Sequence, residues 1–257
     1  AGNGTASIGA GAEGELAKPP LAMSDSARGA EGELAEVCGS VVAHLSRIGS
    51  VRNVQLAPRQ SVSTSAVLAW ERAHYPAQLP AELKALLAQS DGLSLTWSIE
   101  HMGEELALGC IHLNELKHLA RVDIDPSQVR GGSEPRPHGG FAASALAQPA
   151  TASLLSLDGG GLMAFDLDST AHDGRLILLY RLPAVDSPQV WFQDLSQGWY
   201  FIADSFSDYF RLLLLHLGIA RWQYAFTEVG LDPAARQWIR LLAPHRLQAH
   251  AETKGAA

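Results

Sequence analysis

The chain has 257 residues, 47% of them hydrophobic and 18% charged, with a formal net charge of −8. Six Trp, five Tyr and seven Phe exclude a wholly disordered polymer, and two cysteines, Cys38 and Cys110, exclude a disulfide scaffold. The acidic balance excludes a general nucleic-acid binder, which needs a basic footprint to release counterions.

No apolar run approaches bilayer length, so no membrane span is expected. The strongest run, Leu212 to Leu217, is short and contains His216. The first residues lack the charged and apolar regions of a signal peptide. A soluble protein of a reducing, intracellular compartment is the expectation.

Residues 1–30 are rich in Gly, Ala and acid, and they read as a flexible acidic leader. Ordered structure is expected over 31–246, as a single domain, with a flexible tail at 247–257. Leu34, Val37, Val41, Leu45 and Ile48 recur at helical spacing, and Gly49 suits a stop. Val51 to Leu56 alternates as a strand. Ser61 to Ala73, with Val67, Leu68 and Trp70, predicts a second helix. Leu79-Pro80 opens a third, with Pro in its first turn and Leu83, Leu86 and Leu87 on one face. After the Asp91-Gly92 turn, Leu93, Leu95 and Trp97 alternate as a half-buried strand.

Leu106 to Leu113 predicts the next strand, around Gly109, and a short helix holds Leu116 and Leu119. Residues 126–150 turn to Gly, Pro, Ser and Ala and read as a mobile insertion. Strands are then expected at Thr151 to Leu157, Gly161 to Asp166, Arg175 to Tyr180 and Val190 to Phe192. Ser205 to Leu217 predicts a helix ended by Gly218. Asp232-Pro233 caps a last helix through Leu242. Helices, then strands, then helices make this an α+β chain and not a βαβ series.

Several short motifs lack their context. Gly9 to Gly14 fits G-x-G-x-x-G, but no strand precedes it and no helix follows. Asp166-Leu167-Asp168 imitates the start of a calcium loop, yet Ala171 and Ile177 occupy the glycine and bidentate Glu positions. A polar turn between strands is the better reading. His112, Glu115 and His118 are spaced by three, which is not the H-E-x-x-H of a zinc helix. No G-x-S-x-G, Walker loop or carboxylate pair stands out. No catalytic residue, cofactor or metal is therefore expected.

The dense feature is aromatic: Trp191-Phe192, Trp199-Tyr200-Phe201 and Trp222-Gln223-Tyr224-Ala225-Phe226. Most of these belong to a core. Arg221-Trp222-Gln223-Tyr224 mixes charge with aromatics, as interfaces do. Residues 211–246 hold five Arg against Glu228 and Asp232, whereas residues 1–40 hold six acids against Lys18 and Arg28. Arg221, Trp222, Gln223 and Tyr224, with Arg236 and Arg240 beside them, are the candidate partner-binding residues. A buried Trp222 is the competing expectation.

Two stretches resemble a known family. Leu79 to Lys84 followed by Ser90 to Ser98 is similar to the entry of a SUKH-superfamily domain. Leu108 to Leu113, Phe165 to Asp168, Gly174 to Tyr180, Val190 to Asp194 and Trp199 to Phe201 follow in the family's order. Ser205 to Leu213, His216 to Gly218, Trp222 to Thr227, Gly230, Pro233 and Gln237-Trp238 resemble the subunit 2 family of tubulin polyglutamylase complexes. The likeness runs from about Leu34 to Pro244, with 126–149 unmatched.

The resemblance implies a SUKH-like fold, with a mostly antiparallel sheet packed between N-terminal and C-terminal helices. It implies a non-catalytic scaffold whose partners are a tubulin-ligase-like enzyme and companion subunits. Microtubules would be reached indirectly, because a chain at −8 is a poor ligand for acidic tubulin tails. The implied setting is the cytoskeleton, at a cilium, axoneme or basal body. The alternative is a structural axonemal protein that reuses the fold without a role in tubulin modification. An enzyme resting on Asp166, Asp168 and Asp173 is a third possibility.

Overall fold

The computed structural model describes residues 38–57, 59–124, 161–170 and 173–244. The leader, the insertion at 126–150, the strand expected at 151–157 and the tail lie outside the described residues. So do Leu34 and Val37.

Helix α1 covers 38–47 and buries Val41 and Leu45, one turn apart. Strand β1 (Val51–Leu56) has the expected bounds but not the expected alternation. Asn53 takes a positive φ of 51°, and the register with the next strand shifts between Arg52 and Gln55. Helix α2 (Thr64–Ala73) starts at Ser63, whose Oγ accepts from the Ala66 N–H. It buries Val67 and Trp70, and the Trp70 indole donates to the Leu119 carbonyl at 3.1 Å. Helix α3 (Ala81–Gln89) places Pro80 at the cap and not inside the first turn. Its fixed φ suits that position, and its carbonyl accepts from Lys84 at 3.0 Å.

Strands β2 (Leu93–His101) and β3 (Glu104–Leu113) form a hairpin around Met102-Gly103, both with positive φ. Trp97 faces Gly109 across this pair, and a Cβ on Gly109 would overlap the Trp97 indole. The indole instead donates to the Leu217 carbonyl at 2.9 Å. The outer edge of β3 is paired by a distant piece of chain: Cys110 N donates to Gly218 O, and Ala220 N to Leu108 O. The short helix expected at Leu116 and Leu119 is a single 3-10 turn, Leu116–His118.

The second sheet is antiparallel, in the order β4 (Arg121–Val122), β5 (Leu162–Asp168), β6 (Gly174–Arg181), β7 (Ala184–Asp194) and β8 (Trp199–Ala203). The first sheet has the order β1-β2-β3. One apolar core joins both sheets and the helices. In β6, Leu176, Leu178 and Tyr180 face that core, while Ile177 and Leu179 join Ala164, Trp191 and Trp199 on the other face. Burial on both faces explains why this strand reads as a continuous apolar run.

Helix α4 (Phe206–Leu215) has Ser205 as its cap, with Ser205 Oγ accepting from Asp208 N and donating to Asp208 Oδ2. It buries Phe206, Tyr209, Phe210, Leu213 and Leu214. Gly218 closes it at a φ of 61°, with its N–H donated to Leu213 O. A 3-10 turn, Trp222–Phe226, leads to α5 (Pro233–Leu242), capped by Asp232 as the Asp-Pro pair predicts.

Candidate partner-binding surface

The six candidate residues fall into three environments. Arg221 begins the Trp222–Phe226 turn at a φ of 67°, a left-handed conformation that an L side chain adopts at a cost. Its Nε donates to Asp173 Oδ2 at 2.9 Å, and a second guanidinium nitrogen lies 3.7 Å from Asp232 Oδ2. Asp173 stands just before β6 and Asp232 caps α5, so the arginine ties two elements to the turn. The bond to Asp173 and the charges of both carboxylates hold the guanidinium protonated above its ordinary range. Tyr224 adds to the same junction: its hydroxyl donates to the Asp173 carbonyl at 3.4 Å.

Trp222 is 1% exposed. It stacks on His216 at 4.8 Å between ring centroids and meets Phe226 edge-on at 5.9 Å. Gln223 is buried as well. The dense aromatic run is therefore mostly interior, and Trp222 and Gln223 offer no surface in this conformation. Arg236 and Arg240 lie one turn apart on the exposed side of α5. Among the described residues neither forms an ion pair. The structure thus gathers Arg221 and Tyr224 into a clasp, and leaves Arg236 and Arg240 exposed on α5, where Arg236 donates to the Leu231 carbonyl at 3.4 Å.

The acidic trio is drawn to different partners, although Asp166 and Asp168 lie close enough for the Asp168 charge to act on Asp166. Asp173 is taken by Arg221. Asp168 Oδ1 accepts from Thr170 N and Thr170 Oγ1, each at 2.8 Å, and lies 3.1 Å from His112 Nδ1. Asp166 has a buried oxygen without a partner, and burial pushes its carboxyl up to about 6 against the opposing pull of Arg175. Glu115 pairs with Arg59 and Lys117 and lies 3.9 Å from His118 Nδ1, whereas His112 faces Asp168.

One grouping escaped the linear motifs. Cys110 and His112, on β3, and Asp168, after a crossing of 56 residues, come together near Tyr209. Only the alternation of β3 hinted at it, since positions 110 and 112 share a strand face. Cys110 is exposed as a residue, yet partial desolvation of its thiol and the Asp168 charge push the thiol up, and a hydrogen bond with Thr170 opposes them. Among the described residues, no three His, Cys, Asp or Glu side chains are arranged to hold a metal ion. Also among them, no helix is long and apolar enough to cross a membrane.

Sequence comparison supplies what the geometry alone does not. This chain has distant homologues named tubulin polyglutamylase complex subunit 2. The human protein is 27% identical over 214 residues, covering 76% of this chain and 65% of its own length. The Rattus norvegicus protein is 25% identical over 203 residues, covering 76% of this chain and 66% of its own. The Mus musculus protein is 25% identical over 239 residues, covering 90% of this chain and 76% of its own. The chain thus spans just under two thirds of the human and rat relatives. No family model and no solved structure matches it. The relatives are subunits of a complex, which makes surface presented to other proteins the feature to examine.

Proposed function

We propose that this chain is a non-catalytic adaptor subunit of a tubulin polyglutamylase or related microtubule-associated complex, built on a SUKH-like fold. The similarity to relatives bearing that subunit name, over three quarters or more of this chain, carries the reading. The side chains support it. Asp173 is tied to Arg221 and Asp168 to Thr170, which is the structural use of acids an adaptor calls for. In this reading the partners are a ligase-like enzyme and its companion subunits. The chain would act in the cytoplasm on the cytoskeleton, at an axoneme or basal body, and reach microtubules through those partners.

The test is affinity purification of the tagged chain from ciliated cells, read by mass spectrometry. Recovery of a ligase with companion subunits is the expected result. Recovery of axonemal structural proteins without any ligase overturns the reading in favour of a purely architectural protein.

A further inference from the structure

The second sheet is buried on both sides, yet the described residues account for only one of them. Its inner side meets the helices in the main core. On its outer side Ala164, Ile177, Leu179, Trp191 and Trp199 are at most 1% exposed. Among the described residues, the apolar side chains packed against these five are Val122, Ile124, Leu162 and Phe201. All four belong to the same sheet or to its margin. A sheet cannot bury its own face, because the side chains stand side by side and leave their ends open. Something beyond the described residues therefore closes this face.

Polar atoms on the same side narrow what it is. Asp166 pairs with Ile177, Ile177 with Trp191, and Gln193 with Trp199, so Asp166 and Gln193 share the outer face. Arg181 joins them opposite Leu162. Asp166 Oδ1, Gln193 Oε1, Trp199 Nε1 and two nitrogens of Arg181 are buried without a partner. Buried donors and acceptors call for an occupant that offers both. Polypeptide does so, and an acyl chain does not.

Connectivity selects which polypeptide. The chain leaves the sheet after Ile124 and returns at Gly161, whose carbonyl accepts from Leu182 N at 3.0 Å. Ile124 and Leu162 both pack against the outer cluster, so residues 125–160 start and finish at this face. Fully extended they reach about 120 Å, whereas β4 to β8 spans about 19 Å at ordinary strand spacing. Leu154, Leu155 and Leu157 come just before Gly161, with Ser153 and Ser156 among them, and Phe141 and Leu146 lie further back. Residues 1–37 and 245–257 are tethered elsewhere. They adjoin α1 and α5, whose Val41, Leu45, Ile239 and Leu242 belong to the main core. The face is closed within a single chain, so no second copy is required.

We propose that residues 141–157 of this chain dock on the outer face of the second sheet, with Leu154, Leu155 and Leu157 against the Ile177–Trp191–Trp199 cluster. Backbone groups and serine hydroxyls of the segment then lie beside the orphaned polar atoms. The insertion is part of the fold, and this face is closed to partners of the complex. The proposal stands apart from the adaptor reading, and neither depends on the other.

The experiment is hydroxyl-radical footprinting of the full chain, read at single tryptophans by mass spectrometry. In the parent, Trp191 and Trp199 should oxidise as slowly as the buried Trp97 and Trp222, and more slowly than the half-buried Trp238. Leu154→Ser/Leu155→Ser/Leu157→Ser should raise oxidation of Trp191 and Trp199 by about tenfold or more, the factor that losing one buried Leu side chain already makes. Trp97 and Trp222 should stay protected. Leu16→Ser/Leu21→Ser and dilution of the parent should change nothing. Trp191 and Trp199 oxidising as fast as Trp238 in the parent overturns the proposal, and so does a triple variant that leaves them protected. Protection lost in Leu16→Ser/Leu21→Ser gives the face to the leader, and protection lost on dilution gives it to a second copy. Either result overturns the proposal.

A triple variant that also exposes Trp97 and Trp222 has unfolded, and a photo-cross-link then decides. Benzoylphenylalanine in place of Leu155, in an otherwise unaltered chain, should attach within the same chain to peptides of β6, β7 or β8. Attachment elsewhere, attachment between chains, or none overturns the docking.

Discussion

Trp222→Ala separates a core role from an interface role. The indole is 1% exposed, stacked on His216 and enclosed by Phe226 and Tyr209. Removing it empties space that the 3-10 turn cannot refill without breaking the Arg221 clasp at its start. Buried Trp→Ala replacements cost about 3–5 kcal/mol. For a domain of this size, each kcal/mol lowers the melting temperature by about 2–4 °C, so the expected drop is about 6–20 °C. The indole N–H has no partner, so Trp222→Phe removes no hydrogen bond and relieves an unsatisfied donor. It should cost clearly less than Trp222→Ala, because the remaining ring fills most of the site and leaves a smaller cavity. Urea denaturation followed by circular dichroism measures both, with the slope checked for constancy. A Trp222→Ala protein within about 1 kcal/mol of the parent, and unable to assemble with its partners, refutes the core assignment.

Three further perturbations follow from the same geometry. Gly109→Ala should destabilise by about 1–3 kcal/mol, because the added methyl displaces the Trp97 indole from Leu217 O. Combined with Trp97→Leu it should cost less than the sum of the two, and strict additivity would disprove the contact. Arg221→Gly should be more stable than Arg221→Ala, because both lose the exposed ion pairs but only Gly is relaxed at a φ of 67°. Equal stabilities in parallel urea titrations would contradict that strain. Asp166, raised to about 6, holds its proton in the folded state where the unfolded chain has lost it, so its contribution falls as pH rises from about 4 to 6. Asp166→Asn should therefore gain stability relative to the parent at pH 7.5 and gain less at pH 4.5. A difference that does not vary with pH would show the carboxyl to be solvated.

Local signals in the sequence carried most elements. Ser63, Ser205 and the Asp232-Pro233 pair are caps whose chemistry acts within three residues, so the helices that follow them were legible. Strand β1 was placed correctly but its interior was not, because the bulge at Asn53 depends on pairing with β2. Trp222 was ambiguous for a physical reason. A polar neighbour such as Arg221 signals solvent on average, yet here its charge is met by two carboxylates remote in sequence. Cys110, His112 and Asp168 lie on strands joined only through the fold, and no spacing rule reaches across that distance.

The pairing of β3 with residues 217–220 carries a consequence for synthesis. Trp97 and its acceptor at Leu217 are separated by 120 residues. At ordinary elongation rates, about 6–24 s pass between their emergence. Through that interval the open edge of β3 has no strand beside it, and the Trp97 indole has no acceptor. An unpaired edge is a template for wrong partners. The nascent first sheet is therefore the part of this chain that most needs protection on the ribosome, and termination anywhere before Gly218 releases a sheet that cannot finish.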